Sequence, residues 1–251
     1  MITQTQARLR NLRLTGMADA LEVQREHPGT YENLSFEERL ALLVDQEDAE
    51  RNDKRLARLL KAARFKLAAT VEGIDNGQAR GISQSKITTL VTCDWIKRKQ
   101  NLLITGPCGT GKSWLSCAFG HAACLRGYSV RYWRLSRMLH SLTIGHGDGS
   151  YSKQLRQLAK VDLLIMDDWG LEAITQRQRN DLLEIMDDRH NQSSTIVASQ
   201  LPVSGWHDSI GDATLADAIL DRLTHNAHRI SLKGESMRKT KDQLDEREHL
   251  D

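Results

Sequence analysis

The stretch Gly106-Pro107-Cys108-Gly109-Thr110-Gly111-Lys112-Ser113 constrains this chain more than any other. It satisfies every fixed position of the pattern GxxxxGK[ST] and stands in the context that the pattern requires. An apolar run, Leu102-Leu103-Ile104-Thr105, leads in as a strand, and residues 114–126 lead out as a helix. Glycine at 106, 109 and 111 lets the backbone curl until its N–H groups face one point, and the amino end of the next helix adds a positive dipole end. Lys112 brings a cation to the β and γ oxygens of a nucleotide, and Ser113 brings a hydroxyl to its Mg²⁺. Pro107, Cys108, Thr110 and Trp114 complete the cradle. A glycine-rich turn without a ligand is the plain alternative, and the agreement of motif, strand and helix argues against it.

The surrounding chain supplies a sheet for this loop. Short apolar runs at 102–105, 130–133, 163–167, 196–199 and 228–232 alternate with amphipathic stretches. That is the rhythm of a parallel sheet covered by helices on both faces. A chain of 251 residues is long enough to bury such a core, and 5% aromatic residues and three prolines speak against an all-β sandwich or a Pro-rich disordered chain. The expected fold is therefore α/β: a P-loop domain with a parallel five-stranded sheet between helices over 101–238, preceded by a small all-helical domain over 1–67. Residues 68–100 are expected to be a linker and an entry helix, and 239–251 a charged flexible tail.

Within the first stretch, Leu9, Leu12, Met17, Ala20 and Leu21 suggest a helical stripe. Ser35 followed by Glu38 predicts a capping box, ahead of Phe36, Leu40, Leu43 and Val44 at helical spacing. Residues 51–66 carry seven basic residues and one acid, Asp53, with Leu56, Leu59, Leu60 and Ala63 along an apolar face. Such a basic amphipathic helix is a solvated face, a face that tracks DNA phosphates through residues such as Arg55 and Arg58, or a membrane-surface helix. The helical period lapses at Gly73, Gly77 and Gly81, and residues 87–99 are expected to resume as a helix ending in Lys97-Arg98-Lys99.

The run Leu163-Leu164-Ile165-Met166-Asp167-Asp168 predicts a buried strand ending in two carboxylates. Asp167 is placed to hold Mg²⁺ and Asp168 to polarise an attacking water, unless Asp168 merely caps the turn at Trp169-Gly170. Asp162 is expected at the surface. Cys117 and Cys124 stand at core spacing, Cys108 lies in the loop, and no cysteine pattern suggests a metal or a disulfide, so reduced thiols in a cytoplasmic protein are expected. Trp133 and Trp169 could stack on bases, although strand-end packing is the simpler expectation. The apolar runs are too short for a membrane span, and the formal charge of +2 leaves room for a local basic patch.

Taken together, NLLITGPCGTGKSWL, YSVRYWRLSRML, LLIMDDWG, TIVASQLPVSGWH, AILDRL and GESMR make the chain resemble the IstB-like ATPases over nearly its whole length. These are transposition helpers of bacterial insertion sequences, related to the DnaC helicase loaders within the AAA+ superfamily. The resemblance implies an ATPase that assembles as a homo-oligomer with ATP and Mg²⁺ on double-stranded DNA and serves a transposase in the bacterial cytoplasm. It implies that Gln200 orients the attacking water, with Thr195 or Ser199 as substitutes. It also implies that Arg222 reaches a neighbouring subunit's γ-phosphate and that Arg238 reads the nucleotide of its own subunit. For each arginine a surface salt bridge is the plainer reading. Asp168 stands where the superfamily carries Glu, one methylene shorter, which implies slow turnover. Related initiators carry an extra helical element after the second strand. Arg134, Arg137, Lys153 and Arg156 occupy that region here, around a stretch expected to be flexible, Gly145-His146-Gly147-Asp148-Gly149. A replicative helicase loader, a nucleotide-switched architectural DNA binder and a small-molecule kinase are the rival readings.

Overall fold

The computed structural model describes residues 2–73, 81–234 and 236, and the chain divides into two units, Met1–Arg58 and Leu59–Asp251. The first unit holds α1 (Ile2–Asn11), α2 (Thr15–Glu26), α3 (Pro28–Tyr31) and most of α4 (Phe36–Ala63). The expected stripe through Leu9 and Met17 is not one helix, because Arg13 turns left-handed at φ 61° and separates α1 from α2, leaving Leu12 exposed. The Ser35–Glu38 capping box forms. Ser35 N donates to Glu38 Oε2 at 2.7 Å, and Glu38 N donates to Ser35 Oγ at 3.2 Å. α2 lies antiparallel along α4: Gln24 Nε2 donates to Arg39 O at one end and Thr15 Oγ1 to Glu50 Oε1 at the other. Between them, a Cβ on Gly16 would stand 2.7 Å from Gln46 O, so the small residue sets the distance between the helices. The basic run over 51–66 does not form a helix of its own. It is the second half of α4, which stops at Ala63 before Arg64 turns to φ 54°.

After the last residues of α4, the second unit continues with α5 (Gln84–Val91) and α6 (Asp94–Lys97). The single helix expected over 87–99 is broken by Cys93 at φ 61°, and Trp95 Nε1 bridges the break to Leu90 O at 2.9 Å. There follow β1 (Asn101–Thr105), α7 (Lys112–Leu125), β2 (Val130–Arg134), α8 (Leu135–Asp148), α9 (Tyr151–Lys160) and β3 (Leu163–Trp169). The unit continues with α10 (Gln176–Arg189), β4 (Ser194–Ser199), a 3₁₀ turn (Val203–Gly205), α11 (Trp206–Ile210), α12 (Ala213–Thr224) and β5 (Ala227–Ser231). The strands form one five-stranded parallel sheet in the order β2-β3-β4-β1-β5. This is the expected fold class, a parallel five-stranded sheet between helices, preceded in the chain by a helical amino-terminal region.

Leu102, Leu103 and Ile104 of β1 are all buried, as a strand covered on both faces requires. α7 covers one face. α8 and α12 pack on the other over a core that includes Leu103, Leu139, Met166, Trp169 and Trp206. The stretch expected to be flexible, 145–149, is instead the end of α8 and its cap. A Cβ on Gly145 would lie 2.8 Å from Gln154 Nε2 and 3.1 Å from Tyr151 Cα, so this glycine admits α9 against α8. Asp162 is not a loose surface residue. Its carboxylate accepts from Ser129 N at 2.8 Å and Ser129 Oγ at 2.7 Å, tying the starts of β2 and β3 together. No helix among the described residues is long and apolar enough to cross a membrane.

Candidate functional site

Parallel strands deliver their carboxyl ends to one edge, and the switch in chain direction there leaves a crevice for a ligand. In this sheet β4 lies between β3 and β1. The loop after β1, the carboxylates ending β3 and Gln200 after β4 therefore stand side by side, although no motif in the sequence states that order. Thr105 is level with Ser199 across the β1–β4 ladder, and Gly106 N donates to Ser199 O at 3.3 Å.

The phosphate-type loop is seated from β5 as well. Leu232 N donates to Thr105 O at 2.7 Å, and a Cβ on Gly106 would meet Leu232 O at 2.6 Å. Gly106 at φ 151° and Gly111 at φ 94° hold backbone that an L side chain would strain, and Gly111 is the residue from which α7 starts. Thr110 is buried and donates to Pro107 O at 2.9 Å, closing the turn. Lys112 donates from Nζ to Gly106 O and Pro107 O, both at 2.7 Å. Burial pulls its pKa down, while the negative forms of Cys108, Asp167 and Asp168 act in the opposite direction. Both carboxylates are thus within electrostatic reach of the loop's cation. Ser113 is half-buried in the first turn of α7, Cys108 is exposed, and Trp114 packs its ring edge against Gly73. Cys93, Cys117 and Cys124 are buried free thiols, with burial pushing Cys124 up to about 12, as packed and unreactive cysteines require.

Asp167 is 1% exposed. Its Oδ2 accepts from Tyr132 Oη at 2.5 Å and its Oδ1 from Asp168 N at 3.0 Å. Tyr132 was not legible as a site residue. Its place on β2, two residues before the one level with Asp167, follows from the parallel register. Burial and the bond to Asp167 push the phenol far above its ordinary pKa, so it stays a donor. The residue after Asp167 leaves the strand geometry. Asp168 has φ 61°, and the β3–β4 ladder slips between Met166 and Trp169. Asp tolerates the left-handed region better than most residues. Its side chain is 29% exposed and lies 3.5 Å, at Oδ2, from Arg134 Nε.

Gln200 is exposed at the end of β4. The loop beyond it is fixed by Trp206, whose Nε1 donates to Leu201 O at 3.1 Å and whose ring lies 5.2 Å from that of Trp169. Trp169 is buried in that contact, which is strand-end packing rather than a surface for bases. Neither expected substitute for Gln200 is available. Ser199 is fully buried, donating to Trp169 O, and Thr195 lies at the opposite end of β4, where it accepts from Arg189 Nε.

Arg222 also lies at the amino ends of the strands, since Asn101 Nδ2 donates to Arg222 O at 3.1 Å. A five-residue strand, about 16 Å, separates that edge from the loop of the same chain. Its side chain is not unpartnered: Nε pairs with Asp187 and NH1 donates to Ala218 O. Arg238 lies outside the described residues, as do Gly77 and the tail over 239–251. Arg137, Lys153 and Arg156 are exposed along α8 and α9, and Arg55 and Arg58 are exposed on α4 in the other unit. Arg134 stands apart from this set, at the end of β2 beside Asp168.

Ser113 and Asp167 are hard oxygen donors of the kind Mg²⁺ takes, and Asp167 keeps lone pairs beyond its two hydrogen bonds. Among the described residues no cluster of three or more His, Cys, Asp or Glu could cage a metal by itself. A divalent ion here would therefore rely on the ligand's phosphates as well.

A family model described as IstB-like ATP binding protein matches residues 7–245. The chain belongs to the IstB-like ATP-binding protein family. It is 48% identical over 232 residues to a putative insertion sequence ATP-binding protein of Sinorhizobium fredii, covering 92% of this chain and 94% of that one. It is 53% identical over 206 residues to an insertion sequence putative ATP-binding protein of Pseudomonas fluorescens, covering 81% and 89%. In fold it is similar to the DnaC helicase loader, with a TM-score of 0.54 at 18% identity over 68% of this chain and all of that one. It is likewise similar to the replication initiator DnaA bound to AMPPCP and single-stranded DNA, with a TM-score of 0.56 at 19% identity over 73% of this chain and 56% of that one. The fold is that of the AAA+ proteins.

Proposed function

We propose that this IstB-like protein is an ATPase of the bacterial cytoplasm that assembles with ATP on double-stranded DNA and recruits or activates a transposase. The observation that carries the reading is the convergence of Lys112, Asp167 and Asp168 at one crevice, in a chain whose relatives are named as insertion sequence ATP-binding proteins. Residues 106–114 cradle the triphosphate through backbone N–H groups and the amino end of α7, with Lys112 as the point charge. Ser113 and Asp167 would hold Mg²⁺, which neutralises charge on the phosphate oxygens when bound. Asp168 takes a proton from a water whose oxygen forms a bond to the γ-phosphorus. The bond from that phosphorus to the bridging oxygen breaks, and ADP leaves with inorganic phosphate. Gln200 orients the water, Arg222 reaches the γ-phosphate of the next subunit, and Arg238 reads the nucleotide in its own. Positioning and charge stabilisation supply the catalysis.

DNA contact runs through Arg134, Arg137, Lys153 and Arg156, with Arg55 and Arg58 as a second basic surface. Such contact is sequence-independent. The logarithm of affinity is expected to fall with the logarithm of salt by about 0.9 per phosphate neutralised. Removing charge at Arg137 and Arg156 should flatten that slope and weaken all duplex sequences alike. A loss confined to particular sequences would mean base readout instead. The test of the whole reading is the size of the protein with ATP, with duplex DNA and with both. A large assembly that needs both supports it, and a monomer under all three conditions overturns it.

A further inference from the structure

The amino ends of the strands carry a pocket of their own, at the opposite edge of the sheet from the phosphate loop. Lys99, Arg189, Asn191, Ser193, Arg222 and Asn226 are among the residues that line it, and no acidic residue is among the described residues of its wall. Arg189 is occupied by four oxygens, and Arg222 is held by Asp187 and Ala218 O. Lys99 differs. It is half-buried, and its ammonium has no partner among the described residues. Ser193 Oγ is buried at the same wall and is also without one. Positive charge and unspent donors make an anion the complementary ligand. The backbone at Lys99 is an independent sign. α6 closes with Lys99 N donating to Ile96 O at 3.0 Å and Gln100 N to Trp95 O at 2.9 Å, the paired bonds of a helix end whose turning residue is commonly glycine. Here that residue is a lysine at φ 59°. Asn191, the pocket's other left-handed residue at φ 57°, is of a type that tolerates this region, and lysine is not. A long cation thus stands where the turn itself calls for no side chain, and strain of this kind gathers at functional sites. Asn101, two residues on, donates from N to Asn226 O at 3.0 Å and from Nδ2 to Arg222 O and Leu223 O, both at 3.1 Å. The start of β1 and the end of α12 are therefore fastened together, and they present Lys99 and Arg222 on one rigid edge.

We infer that Lys99 is a second cation supplied to a neighbouring subunit's nucleotide, contacting its terminal phosphate beside Arg222. The inference rests on the proposed in-trans reading of Arg222, and it adds the residue that turns a single finger into a two-cation clamp. The two side chains divide the work. A guanidinium takes two phosphate oxygens in a fork, and an ammonium acts as a point charge on what remains. Arg222 has a bond to Asp187 to break before it reaches across, whereas Lys99 has none. The arriving phosphate is met first by the free ammonium, and its charge then competes with Asp187 for the guanidinium.

The experiment measures ATP hydrolysis by the full chain assembled on duplex DNA, in wild type, Lys99→Gln, Lys99→Gly, Lys99→Arg and Arg222→Ala. Affinity of the DNA-free subunit for a fluorescent ATP analogue is followed in parallel. Lys99→Gln and Lys99→Gly should lower turnover about ten-fold, the low end of what a hydrogen bond between charged groups is worth, with that affinity unchanged. Lys99→Arg, which keeps the charge, should retain most of the rate. Lys99→Gly controls for folding, because glycine suits the left-handed turn: it should melt at least as high as Lys99→Gln while losing as much turnover. Mixed on duplex DNA with Lys112→Ala subunits, which still offer Lys99, Lys99→Gln subunits should recover part of the activity. Wild-type turnover in both Lys99→Gln and Lys99→Gly overturns the inference. So does a loss that mixing leaves unrepaired in complexes shown to contain both variants, since it would place Lys99 at the nucleotide of its own subunit. Inorganic phosphate titrated onto the DNA-free Lys112→Ala protein tests the other source of the anion. Saturable binding that Lys99→Gln abolishes would assign the pocket to free phosphate and overturn the in-trans role. Wild-type turnover in Arg222→Ala would remove the reading on which the inference rests, a result distinct from any at Lys99.

Discussion

Subunits carrying Arg222→Ala are expected to bind ATP nearly as wild type does and to hydrolyse it poorly. Arg222 lies a strand's length from the phosphate loop of its own chain, so its removal leaves that loop intact. An arginine supplied from a neighbouring subunit is worth roughly 10³–10⁵ in rate in P-loop enzymes, and a slow ATPase would lose less. Mixing decides the matter. Lys112→Ala subunits lack the loop's cation but still offer Arg222, and Arg222→Ala subunits still offer an intact loop. Each is inactive alone. Co-assembled on duplex DNA, they should form composite sites and recover part of the activity. The ion pair with Asp187 adds a condition, because Arg222 must leave Asp187 to reach across. Asp187→Asn is therefore expected to leave hydrolysis intact or raise it. No recovery on mixing, in complexes shown to contain both variants, would make the Asp187 pair the whole role of Arg222.

Asp168→Asn is expected to retain ATP and to stay on DNA longer, with turnover reduced about 10²-fold or more, the usual contribution of a general base. Asn keeps the size of the side chain and its tolerance of the left-handed backbone, so the β3 kink should survive. What it loses is the negative charge beside Lys112. The measurement is single-turnover hydrolysis alongside the lifetime of DNA complexes chased with unlabelled duplex. Wild-type turnover in this variant would return Asp168 to the role of a turn residue.

The phosphate loop was legible because its physics is local: a strand, three glycines and a helix start within a short span. The central strands β1, β3 and β4 were legible because both their faces are buried, which leaves nearly unbroken apolar runs, whereas the edge strands β2 and β5 carry charged and half-exposed residues. What escaped the sequence depends on pairings across the chain. Tyr132 looks like any aromatic residue in a strand until the β2–β3 register sets it against Asp167. A surface salt bridge was the plainer reading of Arg222, but its partner, Asp187, lies on a different helix and no sequence spacing names it. Thr195 and Ser199 lie on the strand that Gln200 follows, yet burial and strand direction remove both from the crevice. Gly145 and Gly149 suggested mobility, since composition alone does not distinguish a glycine that loosens a chain from one that lets two helices touch. Arg134 was grouped with α8 by sequence adjacency, whereas its side chain looks back into the sheet.

Arg189 has a mechanical consequence. The residue is 2% exposed, and its guanidinium is gripped by oxygens of three segments: Leu158 O near the end of α9, Val161 O in the turn into β3, and Ser194 O with Thr195 Oγ1 at the start of β4. Burial pulls its pKa down to about 9, and Asp162 opposes that shift. A single side chain thus rivets the trailing end of the α8–α9 hairpin to the sheet. The base of the hairpin therefore has no slack. Arg189 ties it to the start of β4, the strand that Gln200 follows, so the hairpin and the crevice edge of the sheet are held by one rigid connection.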